Sequence, residues 1–422
     1  MPTVSPETST ETSTATSPAA STLPARQGRP GAGATLVLLA TTLTTFMAAA
    51  SAPTPLYAVY QGHWGFSPGV LTAVFAVYAV SLLVALLTVG SLSDHVGRRP
   101  VILGAVALET VAMAVFAYAD GVPALVVARV LQGFATGAAT GALGAGLLDA
   151  DRTRGPLVNS VTPALGLAVG GLGSSLLVQY LPAPTRTVFV VLIVAFVLQG
   201  VAILLLPESV SRRAGALASL RPHVSVPAGA RRVLLMVTPI TVAGWALGGF
   251  YLSLGPSLAR GVTGSGSVVV GGLLVFALTF SGTVAILALR AVPAPRAMRV
   301  AAVLLALGVV VTLLGVNTGS GVLFFGGTVV AGLGFGAGFQ GAARVLLPAA
   351  APHERAGLMA AFFIVSYLAM SIPATVAGIV AGHLPLTEIT TYYGIVLAVL
   401  AMAALAGTFL VRDRLPEAAR TA

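Results

Sequence analysis

Gly90-Ser91-Leu92-Ser93-Asp94-His95-Val96-Gly97-Arg98-Arg99-Pro100 is a charged turn set between two apolar runs, 68–90 and 100–119. Asp, Glu, Lys and Arg make up only 8% of the chain. An acid and two arginines gathered in one turn therefore mark a place where charge is required. Two apolar runs joined by such a turn read as helices that cross a bilayer and return. A hydrocarbon core about 30 Å thick needs about twenty apolar residues per helical crossing.

The rest of the chain repeats that pattern. Hydrophobic residues are 57% of 422 and mean hydropathy is +0.97, far above a soluble domain. Apolar stretches lie near 35–58, 68–90, 100–119, 123–147, 158–180, 187–207, 233–254, 268–289, 300–317, 322–345, 357–380 and 391–411. Each is predicted helical, because lipid offers no partner to an open backbone. The expected fold is an all-α membrane protein: twelve transmembrane helices in two pseudo-symmetric six-helix bundles, 35–207 and 233–411. A polar, arginine-containing segment, 208–232, joins them. Residues 1–34, rich in Ser, Thr, Pro and Ala, read as a disordered cytoplasmic tail without a signal-peptide core. Residues 412–422 form a second cytoplasmic tail.

All 22 basic residues are arginine. With the N-terminus inside, almost all fall in cytoplasmic segments; the outer loops hold Arg186 and Arg260, and Arg129 lies within a helix. This bias obeys the positive-inside rule and requires an even number of crossings, with both termini cytoplasmic in a plasma or inner membrane. The outer face is expected to carry interfacial aromatics: Tyr57, Tyr60, Trp64, Tyr118, Tyr180, Tyr392 and Tyr393. The net charge of +10 is thus a topology signal, and no basic soluble face exists to bind nucleic acid. The chain has no cysteine, hence no disulfide or thiolate metal site. It has no HExxH, GxSxG or P-loop, so neither an enzyme nor a nucleotide-driven pump is indicated, and no cofactor is implied. The expected partners are a small-molecule solute, protons and the lipid bilayer, with the chain acting as a monomer.

Two charged residues fall deep inside apolar runs, Arg129 and Glu109. Arg129 shares a helix face with Gln132, three residues on. An intramembrane arginine costs at least about 2.5–3.5 kcal/mol and turns to a partner or to water. It either takes part in coupling or an ion pair, or snorkels to the nearby outer interface. Glu109 lies near the middle of the third run, flanked on its face by Ala105 and Ala112. It is either a proton carrier or a permanently protonated acid bonded to a neighbour. Gly133, Gly137 and Gly141 repeat every four residues, continuing to Gly144 and Gly146. Gly166, Gly170 and Gly171 mark the fifth run, with Pro163 one turn earlier. Small residues at this spacing let helices pack backbone to backbone. Gly133-Phe134-Ala135-Thr136-Gly137 also pairs with Gly334-Phe335-Gly336-Ala337-Gly338 in the second half.

The turn at Gly90, Asp94, Gly97, Arg98 and Arg99 resembles the loop between helices 2 and 3 of the major facilitator superfamily of secondary transporters. The resemblance implies a charge lock in which the acid pairs with arginines and helix ends until the halves rock. The alternative is that Arg98 and Arg99 merely anchor topology. The Arg129-to-Gly133 spacing resembles that superfamily's helix 4 pattern, which implies proton coupling through Arg129, with Glu109 and Asp94 as further candidates. Gly166-Leu167-Ala168-Val169-Gly170-Gly171 looks like a decayed glycine-proline motif of drug–proton antiporters, with Leu167 where that motif has proline. The loop after helix 8, Arg290 to Arg299, keeps its arginines but lacks the acid and both glycines, so the lock belongs to the first half. By carry-over from the fold, helices 1, 4, 7 and 10 line a central cavity. Thr42, Phe46, Trp245, Tyr251, Phe335, Phe339 and Gln340 are the substrate-binding candidates there. An apolar cavity suits an uncharged, amphipathic or weakly cationic solute. The expected activity is proton-coupled efflux of a small organic compound or drug. The alternatives are a sugar or metabolite permease of the same fold and a non-transporting membrane sensor.

Overall fold

The computed structural model describes residues 31–410; the bulk of the two proposed tails lies outside them. Twelve helices are long and apolar enough to cross a membrane, and no strand occurs among the described residues. In chain order they are α1 (Ala32–Trp64), α2 (Pro68–Val89), α3 (Arg98–Ala117), α4 (Val122–Ala150), α5 (Gly155–Tyr180), α6 (Pro184–Leu204), α7 (Ala228–Ser253), α8 (Val268–Ala288), α9 (Ala294–Thr318), α10 (Gly321–Leu346), α11 (Arg355–Val380) and α12 (Leu386–Leu410). An even number of crossings brings both ends of the described chain to one face, called here the terminal face.

Two elements depart from the sequence expectation. α1 runs on to Trp64 rather than stopping near 58, with a break at Ala52–Pro53. Pro53 has no N–H to give the carbonyl of Ala49, four residues back, so the helix must bend there. After α7 a further helix, Gly255–Thr263, with Pro256 in its first turn, carries Arg260 where the sequence predicts an outer loop.

Each half has its own packed core, and the glycines set how close the helices come. Cβ atoms at Gly133 and Gly137 of α4 would strike the carbonyls of Tyr78 and Leu82 on α2, and one at Gly141 would lie 2.9 Å from the Gly90 oxygen. α10 repeats this against α8: Gly332 faces the Leu278 carbonyl and Gly336 that of Gly282. The structural partners of Gly133 and Gly137 are therefore Gly332 and Gly336, two residues earlier than the sequence pairing. Contact with the paired helix, rather than composition, fixes the register. On α5, Gly166 and Gly170 lie against the backbone of α1 at Thr44 and Ala48.

The halves meet along two seams, α2 against α11 and α5 against α8. Gly378 admits Thr72, and Gly171 admits Val275. Gln179 accepts hydrogen bonds from Ser267 Oγ (3.3 Å) and Val268 N (3.2 Å). These contacts sit toward the face opposite the termini. Around the outside, apolar side chains such as Leu198, Val201, Val310 and Leu314 are exposed, as a lipid-facing belt requires.

The glycine packing yields a test. Gly137→Ala, which drives a methyl into backbone, is expected to destabilise by about 1–3 kcal/mol. Gly104→Ala on α3, with nothing within 4 Å of its Cβ position, is expected to be neutral or to stabilise by about 0.4–1 kcal/mol. Thermal melting of the purified variants measures both.

Candidate functional site

Arg129 is fully buried on α4 and does not snorkel to the surface of the protein. Its Nε and Nη2 donate to Tyr57 Oη at 2.9 and 2.5 Å. Its Nη1 donates to the Ala50 carbonyl at 3.1 Å and to Gln132 Oε1 at 2.6 Å. The rings of Tyr78, Tyr57 and Phe116 lie 5.2, 5.4 and 5.6 Å from the guanidinium carbon. Such contacts are worth most where water is excluded. Gln132 Nε2 donates to the Ala49 carbonyl at 2.9 Å and to Glu109 Oε1 at 3.3 Å. Gln132 thus stands between the guanidinium and the carboxylate, and the charges do not pair directly. Glu109 is fully buried on α3, and its Oε2 has no hydrogen-bond partner among the described residues.

The break in α1 supplies this cluster. The Ala49 oxygen, left without an N–H by Pro53, is taken by Gln132. The adjoining Ala50 oxygen goes to Arg129, and that of Ala52 accepts from Ser174 Oγ on α5 at 2.6 Å. Sequence reasoning placed Tyr57 and Tyr60 among interfacial aromatics. The structure corrects this: both are buried, because α1 runs on as a helix and turns them inward. Tyr393 is also drawn in, donating to the Ala246 carbonyl at 2.8 Å. Tyr118, Tyr180 and Tyr392 remain exposed. The Pro53–Pro55 pair was the available signal for Tyr57.

The charged turn lies at the terminal face. Arg98 Nη1 bonds Asp94 Oδ1 and Ser93 Oγ, the latter at 2.7 Å, and its Nε reaches Asp149 Oδ2 at the end of α4 at 3.2 Å. Gly97 adopts φ +106, a region that favours glycine. A Cβ there would lie 2.5 Å from Glu208 Oε2. That carboxylate caps α3, accepting from Arg98 N at 2.9 Å and Arg99 N at 3.1 Å; an anion at a helix N-terminus is favoured by the dipole. Arg99 Nη1 donates to the Leu206 carbonyl at 3.3 Å. All five residues of the motif are thus brought together, though Gly90 acts by admitting Gly141. Asp149 and Glu208 belong to the same network and were missed. Neither belongs to a motif in the sequence, and only the fold brings it to the turn. Nearby, the amides of Arg154 and Thr153 bond Asp151 Oδ1 and hold its carboxyl below the usual range. Among the described residues no cluster of acids or histidines could hold a metal ion.

The substrate-binding candidates divide. Thr42 and Phe46 are buried in the first half, Phe46 edge-on to Phe196 of α6. Tyr251 is buried in the second half, bonded to Thr328 Oγ1 at 3.1 Å. These three pack inside their own halves rather than between them. Trp245, Phe335, Phe339 and Gln340 are half-buried. Trp245 meets Tyr367 at 5.0 Å and Phe339 at 5.7 Å, both edge to face, and Phe335 lies over Gly244 and Gly248 of α7. Trp245 and Tyr367 border the apolar contact between the halves. Gly171 alone of the α5 glycines faces the other half.

Comparison with known proteins agrees with this architecture. The Major Facilitator Superfamily profile matches residues 37–375. No curated protein matches the chain. Among solved structures, a point mutant of the nucleoside transporter NupG superposes with a TM-score of 0.69 at 14% identity, covering 88% of this chain and 99% of its own. A bacterial homologue of the human lysosomal transporter Spinster, inward-facing and unoccupied, gives a TM-score of 0.72 at 12% identity, covering 92% and 99%.

The α3 cap can be weighed directly. Glu208→Ala is expected to cost about 1–2 kcal/mol, and Glu208→Gln, which keeps an acceptor oxygen, less. Thermal melting in detergent reads both; equal losses would contradict the capping role.

Proposed function

The chain belongs to the Major Facilitator Superfamily, and from that we propose that it is a secondary active transporter coupling efflux of a small organic compound or drug to protons. The observation that carries the coupling is the buried row Glu109–Gln132–Arg129. Deprotonated Glu109 accepts from Gln132 Nε2, which holds Gln132 Oε1 against the guanidinium. A proton on Glu109 removes the carboxylate charge nearest Arg129 and makes the acid a donor. The amide of Gln132 then no longer needs to face both groups in the same way. Because Gln132 and Arg129 hold the carbonyls of the α1 break, the change of charge acts on the bend of α1. α1 in turn packs on α5, one of the helices at the seam between the halves. Alternating access rocks two such halves about a midplane site, with the terminal face in the cytoplasm.

The charge network at Asp94, Arg98, Arg99, Asp149 and Glu208 ties the α2–α3 turn to the ends of α4 and α6. We assign it the holding of the first half as one body, with the Asp94–Arg98 pair moving together with that half. A second reading is a permease for a neutral metabolite. It is favoured by the uncharged aromatic centre and by the shared fold of NupG, a nucleoside transporter.

A ligand-stability screen of the purified protein supplies a solute for proteoliposomes. Glu109→Gln is expected to lower pH-gradient-driven flux by at least about tenfold while leaving solute exchange at equal pH intact. Undiminished driven flux would remove Glu109 from coupling, and no flux of any solute would favour a sensor.

A further inference from the structure

We infer that the second half carries the recognition site for an uncharged, flat aromatic or heteroaromatic solute bearing a hydrogen-bond acceptor, with Trp245 as the donor. The inference rests on the carrier reading above and narrows its substrate class.

Trp245 is one of two tryptophans in the chain, and its indole Nε1 is buried with no acceptor among the described residues. A buried donor left unpaired is costly and rare, and calls for a partner that the chain itself does not supply. Around it, Tyr367 and Phe339 present ring edges at 5.0 and 5.7 Å. Phe362 and Phe363 continue the cluster behind them. All these rings except Phe362, which is buried, keep exposed surface. Gly244 and Gly248 leave α7 without side chains where Phe335 lies over it. A planar ring entering this group gains offset and edge-to-face contacts.

The electrostatics select against charge. In the second half the described acids are Glu354 and Glu388, both at helix starts, the former turned back to the Ala351 amide at 3.1 Å. Glu109 lies in the other half behind Gln132. A cation at Trp245 therefore finds no carboxylate. Arg129 adds positive potential nearby: its guanidinium carbon lies 5.2 Å from the Tyr78 ring, and Tyr78 and Tyr367 pack together across the seam. An anion gains little, since Arg129 is sealed and its donors are committed to Tyr57, Ala50 and Gln132. A neutral ring whose carbonyl or ring nitrogen accepts from Trp245 meets every requirement.

The test uses purified full-length Trp64→Phe protein, in which Trp245 is the sole tryptophan. Caffeine and uridine serve as neutral heteroaromatic probes, tetraphenylphosphonium as an aromatic cation and glucose as a neutral non-aromatic. Saturable change of Trp245 emission with a neutral ring, and none with tetraphenylphosphonium or glucose, is expected. In the wild-type background, Trp245→Phe keeps a ring but removes the donor, and is expected to weaken binding of the neutral ring about tenfold by calorimetry. The proposal is overturned if neither neutral ring alters the emission, if tetraphenylphosphonium does so instead, or if Trp245→Phe leaves the affinity unchanged. The fluorescence arm does not require Trp245→Phe to fold. Neither arm needs a gradient, so a failure of proton coupling leaves this result standing, and failure here leaves coupling untouched.

Discussion

A guanidinium buried in an apolar bundle must find every partner inside the protein, and much of the first half is organised around that demand at Arg129. Water is excluded, so side chains and backbone must supply the acceptors. An intact α1 would have none to give, because helical carbonyls are already occupied. Pro53 releases the Ala49 oxygen, and the bend beside it turns the Ala50 oxygen toward α4. Tyr57, four residues after Pro53, then points its hydroxyl at the same charge. The close approach of α4 to α2, made possible by Gly133 and Gly137, brings the Tyr78 ring over the guanidinium. A proline break, a tyrosine and a glycine row thus solve one electrostatic problem.

The second half meets the same geometry without the charge. With Gly332 and Gly336 standing for Gly133 and Gly137, the residue equivalent to Arg129 is Thr328. Tyr251 of α7 bonds Thr328 as Tyr57 of α1 bonds Arg129. The tyrosine-to-α4-type contact has been kept and the cation lost. At the terminal face the same division holds. Where the first half uses Asp94, Arg98, Asp149 and Glu208, the second uses arginines on backbone carbonyls: Arg344 donates to those of Leu289 and Val292 at 3.3 and 2.9 Å, and Arg355 to that of Ala350 at 3.3 Å. The buried acid and arginine lie in one half, and the half-buried aromatic cluster around Trp245 lies in the other.

Twelve spans and a twofold layout were legible because a bilayer imposes one length and one hydropathy on every crossing. The burial cost of Arg129 and Glu109 was legible because charge in such runs is rare, and Gln132 was legible as the residue sharing a helix face with Arg129. What the chain alone could not give was which neighbours meet them. Tyr57 read as an interface aromatic because its distance along α1 suggested the membrane edge; only the continued helix carries it inward. Glu208 follows α6 by a few residues, yet it caps α3, and no local pattern announces a contact between segments 110 residues apart. Helix number alone places Phe46 and Tyr251 on cavity helices, but which face of a helix they occupy depends on packing, and both are buried within their own halves.

If the two halves rock, the segment joining them is where the motion is absorbed. Its first part belongs to the first half: Glu208 caps α3, Arg213 N donates to the His95 carbonyl at 2.8 Å, and the Ser219 carbonyl accepts from Ser91 Oγ at 3.0 Å. Its last part belongs to the second half, where Ser225 N donates to the Gly357 carbonyl at 3.3 Å. If each half moves as a body with the residues bonded to it, only the stretch between Ser219 and Ser225 is left to change its dihedrals. That stretch carries Pro222, whose fixed φ removes one of the few rotations available. The linker is therefore a short hinge with anchored ends rather than a loose tether, and the excursion of the halves at the terminal face is bounded by the reach of a handful of residues.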